Sequence, residues 1–121
     1  MPVSEKARAA ARTFLDPDDE IRYIFPAVLL MSARPCVLIV VSNKAVKVLS
    51  TGHWSRTVPR TLEAEFPRQT RLGPVEDHVG ARFTLGGLSF ELDEEYIAVV
   101  NAADLERGAR DLLPPDPLPD L

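Results

Sequence analysis

The spacing of apolar residues changes along this chain, and each change predicts a different element. Over residues 3–14, Val3, Ala7, Ala10, Ala11 and Phe14 fall on one helical face, with Lys6 and Arg12 on the other. Ser4 stands at the N-cap position, and the Ala, Arg and Lys residues that follow are strong helix formers. Pro17 ends this helix by disfavouring helical geometry at Asp16. From Glu20 the period falls to two. Ile21, Tyr23 and Phe25 alternate with Arg22 and Ile24, which predicts a strand with one face more apolar than the other. After the turn MSARP, the run CVLIVV is apolar at every position, as a central strand buried on both faces is. SNK follows as a tight connection suited to a left-handed Asn43, and AVKVLS returns with Val46 and Val48 opposite Lys47.

A longer polar loop, TGHWSRTVP, leads to RTLEAEF, whose alternation places Leu62, Ala64 and Phe66 inward and Thr61, Glu63 and Glu65 outward. PRQTRLGPV, with two prolines and a glycine, holds at best a short strand. ARFTLGGLSFELD is the clearest hairpin, its Gly86–Gly87 pair supplying the positive φ angles of a primed two-residue turn. Asp93 then caps a second helix with Glu94 and Glu95 in its first turn and Tyr96, Val99, Val100 and Ala103 as its apolar stripe. Helical character runs to about Leu112, and PPDPLPDL closes the chain as an extended, disordered tail. The expected organisation is an N-terminal helix over 1–15, a domain over 16–112 and a Pro-rich tail over 113–121. The expected fold is mainly β: a bent antiparallel sheet or partly open barrel of six to seven strands, plugged by the C-terminal helix.

The 121 residues suffice for one domain that buries a core without metal or disulfides, and an apolar content of 45% is ordinary for a globular chain. The single cysteine, Cys36, has no partner for an internal disulfide and lies in an apolar run, which fits a reducing, cytoplasmic setting and burial as a small hydrophobe. No run approaches the length of a transmembrane helix, and the N-terminus has no signal-peptide core. Any membrane role is therefore expected to be peripheral, at the inner face. The net charge of −4 argues against non-specific nucleic-acid binding. It is unevenly spread: residues 34–82 carry eight basic and four acidic side chains, and residues 83–121 two basic and nine acidic.

Taken together, LIVVSNKAVKVLS, PRQTRLGPV, FTLGGLSFEL and EEYIAVVNAAD resemble the second and third strands, linker, last hairpin and closing helix of a bacterial pleckstrin-homology-like (PH-like) domain, of the small single-domain type found in actinobacteria. The resemblance covers about residues 15 to 107. It implies a seven-stranded bent sheet capped by one helix and no enzymatic activity. Phosphoinositide-binding members place Lys and Arg along the first two strands and their loop, where this chain has only Arg22 and Arg34.

The candidate contact residues are Arg34, Lys44, Lys47, His53, Trp54 and Arg56. Lys44, Lys47 and Arg56 lie close around one hairpin and its exit loop, and they belong to a wider basic set with Arg60, Arg68 and Arg71. Trp54 is suited to anchoring a partner or a membrane interface, and His53 titrates near neutrality. His53 and His78 have no metal-ligand spacing, so no metal or cofactor is expected, and no Gly-x-Ser-x-Gly or His-Glu-x-x-His motif points to catalysis. The leading expectation is a non-catalytic module acting through protein contacts, self-association included. The alternative is peripheral binding of anionic lipid or a small anionic ligand through the basic hairpin and loop of residues 44–56.

Overall fold

The structure, a computed structural model, describes residues 5–32, 35–51, 59–73, 75–77 and 80–112, the last six of these by their backbone alone. In chain order its elements are α1 (Glu5–Arg12), β1 (Ile21–Leu29), β2 (Cys36–Ser42), β3 (Ala45–Thr51), β4 (Pro59–Pro67), β5 (Glu76–Asp77), β6 (Ala81–Leu85), β7 (Leu88–Leu92), a 3-10 turn (Glu94–Tyr96) and α2 (Ile97–Leu112). The strands form one sheet in the order β4-β3-β2-β1-β7-β6-β5, with every neighbouring pair antiparallel. The sheet curls into a half-barrel that α2 plugs and α1 covers from outside, as the sequence pattern predicts.

Two apolar clusters sit on opposite faces of this sheet. The inner one joins Phe25, Val37, Ile39, Val41, Val46, Val48, Phe83 and Phe90 to Tyr96, Val100 and Ala103 of α2. At its centre the Phe83 ring stacks on Phe90 with centroids 5.1 Å apart and meets Phe25 edge-on at 6.0 Å. The outer cluster is Ile24, Leu38, Val40 and Leu49 beneath Ala7 and Ala11 of α1. Small residues on α1 let an eight-residue helix lie close to the sheet, and packing rather than propensity keeps so short a helix folded. β2 is thus buried on both faces from Val37 to Ser42.

Two β-bulges redirect side chains that simple alternation assigns elsewhere. Between Ile21↔Ser42 and Tyr23↔Val41 the register gains one residue, Arg22. Ile21 therefore joins the outer cluster while Tyr23 packs against the inner one. Between Val48↔Ala64 and Leu49↔Leu62 the extra residue is Glu63. Leu62 accordingly shares the outer face with Leu49 and is 42% exposed, whereas Ala64 and Phe66 keep the expected inward orientation. Asn43 does not adopt a left-handed conformation; among the described residues, Met31 in the β1–β2 turn is the non-glycine residue that does, at φ 64°. The Asn43 turn is instead held by the Ser42 hydroxyl, which accepts the Lys44 and Ala45 N–H groups at 3.3 and 3.0 Å. Asp93 stands at the N-cap with extended φ/ψ but makes no side-chain cap bond, and its carbonyl accepts the Tyr96 N–H at 3.0 Å.

Polar bonds complement the apolar stripe in fixing α2. Asp104 accepts the Leu72 and Gly73 backbone N–H groups at 2.9 and 2.7 Å, tying the linker before β5 to the helix. The buried Arg68 donates to the Ala103 carbonyl at 3.2 Å. Glu106 accepts the Tyr23 hydroxyl at 2.7 Å and Arg22 Nε at 3.1 Å. These bonds hold the Glu106 carboxyl below its ordinary pKa, the Tyr23 hydrogen bond being the largest cause. Tyr23 is raised, first by the same bond. A lowered carboxylate contributes fully above the ordinary range of about pH 4 to 5 and loses that contribution as pH falls through its folded value. Glu106→Gln is therefore expected to leave a shallower acid limb in a stability–pH profile, measured by urea denaturation between pH 3 and 7. Tyr23→Phe should cost about 1 kcal/mol at neutral pH.

Candidate functional site

Of the six candidate contact residues, Arg34, His53, Trp54 and Arg56 lie outside the described residues, as do Val3, Ser4, His78 and the tail. The structure places Lys44 and Lys47 on the same hairpin but gives them different surroundings. Lys44 is half-exposed at the β2–β3 turn, with its Nζ 2.7 Å from Asp18 and 3.6 Å from Asp16. The hydrogen bond to Asp18 raises the Lys44 pKa and lowers that of Asp18. Asp19 secures the same corner by accepting the Asn43 N–H at 3.0 Å. The acidic segment before β1 thus neutralises the turn that the alternative reading assigned to an anionic ligand. Exposed pairs of this kind contribute little to stability, so Lys44→Ala should leave the urea midpoint unchanged within error.

Lys47 is not a solvated charge. Its residue is 9% exposed and its Nζ donates to the Phe14 carbonyl at 2.6 Å, just beyond the C-terminus of α1, while pairing with Glu65 of β4 at 3.0 Å. β3 points this side chain to the outer face, where α1 returns over the sheet. A cation there satisfies a carbonyl that the helix end leaves free and suits the negative end of its dipole. The lysine that looked available for a ligand clamps α1 to β3 and β4.

The feature that residue-by-residue reading of charge missed lies where β1 parts from β7. Strand pairing there covers only Val28↔Glu91 and Leu29↔Phe90. Leu29 N–H points toward β2, donating to Pro35 at 2.7 Å, and Leu30 N–H points toward β7, donating to Ser89 at 2.9 Å. Alternation puts position 26 on the β7 side, where proline has no N–H to offer, so the ladder ends and the two strands separate. A cavity of about 270 Å³ opens at this fork, lined by Pro26, Val28, Cys36, Glu91 and Asp93 together with their neighbours. Val28, on the same outer face as Ile24 and Leu38, is 43% exposed, whereas α1 covers those two to 4% and 1%. Cys36, expected to be buried, is half-buried here as a free thiol. The signal in the sequence was Pro26 inside a strand; its meaning depended on which neighbour it faced.

A second cavity of about 340 Å³ lies against Leu30, Glu76, Arg82, Thr84 and Ser89. Its cation, Arg82, pairs with Glu91 at 3.3 Å. Among the described residues no group of three or more His, Cys, Asp or Glu side chains is placed to hold a metal ion, and no helix is long and apolar enough to cross a membrane. A scan against protein-family models, a search of curated proteins and a search of solved structures each find no match for this chain.

Proposed function

We propose that this chain is a non-catalytic, cytoplasmic PH-like binding module that works through protein contacts, self-association among them. The observation that carries the reading is the uncovered apolar fork at Pro26, Val28 and Cys36, on an outer face where α1 covers Ile24, Leu38, Val40 and Leu49. Partly exposed apolar surface beside a polar rim is the usual composition of a protein contact. The seven-stranded curled sheet with its closing helix supports the PH-like assignment. Peripheral binding of an anionic lipid is the less favoured reading, because Lys44 and Lys47 already answer carboxylates and a carbonyl within the chain. Analytical ultracentrifugation across a hundredfold concentration range, with a pull-down from cell lysate, tests the proposal. Concentration-dependent assembly or a stoichiometric protein partner is expected. A strict monomer that retains no protein would overturn it.

A further inference from the structure

We infer that the fork between β1 and β7 receives an apolar side chain with an adjacent lysine or arginine, presented by a segment of a partner protein. This rests on the protein-contact reading and names the surface and the chemistry of the partner. The floor is apolar: Pro26, Val28 and Cys36 stand on the outer face, and Val28 is 43% exposed. At about 270 Å³ the cavity falls below the range of roughly 300 to 1,000 Å³ that encloses drug-sized ligands, and it suits one or two side chains.

The lip decides the sign of the partner. Among the described residues, the charged groups lining the cavity are Glu91 and Asp93, and both are carboxylates. Glu91 shares its charge with Arg82 at 3.3 Å, whereas Asp93 is exposed and its carboxylate makes no cap hydrogen bond to the helical turn it precedes. An anionic headgroup or phosphate is repelled by such a lip, and a purely apolar ligand leaves the carboxylates unanswered. A lysine or arginine stem covers apolar surface while its cation reaches the rim.

The test is amide shift mapping of the full chain with N-acetyl-leucyl-arginine amide, and with N-acetyl-leucyl-glutamate amide as the charge-reversed control. Saturable shifts centred on Val28, Cys36, Glu91 and Asp93 are expected for the arginine probe, with a dissociation constant on the order of millimolar. Glu91→Gln/Asp93→Asn should weaken it about fivefold, and the glutamate probe should bind at least as poorly. Both changes lie on exposed or half-exposed side chains, so the fold is retained. Shifts elsewhere, or equal shifts with both probes, would overturn the inference. If the chain still assembles or holds a partner after that result, the protein-contact reading stands and the fork is not its surface.

Discussion

Gly86→Ala is expected to lower stability by about 3 kcal/mol, and Gly87→Ala by about 1 kcal/mol, although the two residues are neighbours in one turn. Both have positive φ, 58° and 82°, so each alanine bears the cost of a left-handed backbone. They differ in what a methyl group would meet. At Gly86 it would collide with the ring of Phe66, and at Gly87 nothing lies within 4 Å. Phe66 belongs to β4, at one edge of the sheet, and packs into the inner cluster; the β6–β7 turn lies toward the other edge. Their contact spans the curl of the sheet, from the β4 edge to the β6–β7 turn. Urea denaturation of the two variants at constant m-value measures the difference directly. Equal losses would mean that Phe66 does not lie over the turn. A Phe66→Leu background should recover part of the Gly86→Ala loss, giving a coupling of about 1 kcal/mol in a double-mutant cycle.

Lys47→Glu is expected to cost about 3 kcal/mol, and Lys47→Met about 1 kcal/mol. Methionine keeps the apolar stem and leaves the Phe14 carbonyl without its donor and the half-exposed Glu65 without its cation. Glutamate turns a carboxylate toward that carbonyl and toward Glu65, with α1 packed above. Thermal or urea unfolding followed by far-UV circular dichroism gives both values. A loss confined to the surface-pair range, well under 1 kcal/mol for both variants, would show that Lys47 is not a clamp. The result also governs how lipid-binding experiments are read. A Lys44→Glu/Lys47→Glu variant that fails to bind anionic vesicles reports loosening of α1 before it reports a lost binding site.

What the sequence made legible follows from local rules. The β6–β7 hairpin was readable because Gly86–Gly87 fits only a primed turn, and β2 because its apolar run CVLIVV leaves no polar face. The α2 stripe was readable because Tyr96, Val99, Val100 and Ala103 keep helical spacing and all face the inner core. The fates of Ile21 and Leu62 were hidden by bulges, which insert a residue without changing the hydrophobic pattern around it. Lys47 was misread for a tertiary reason: nothing in AVKVLS tells that a helix thirty residues earlier returns over its polar position. The candidate site was less legible than the fold. Cations drew attention because they are visible one residue at a time. The fork needs Pro26, Val28, Cys36 and Glu91 from three strands, with Asp93 just past β7, and it exists only because a missing N–H faces β7 and not β2.

The replacement Val28→Lys probes the fork as a protein-contact surface, read by sedimentation and partner capture beside the wild-type chain. Val28 stands opposite Glu91, so a lysine there gains a cross-strand carboxylate and lies beside Asp93, filling the fork with the chemistry assigned to the partner. An unchanged or slightly raised unfolding midpoint is expected, together with loss of the assembly or partner shown by the wild-type protein. Full retention of that assembly or partner by a folded Val28→Lys chain would contradict it.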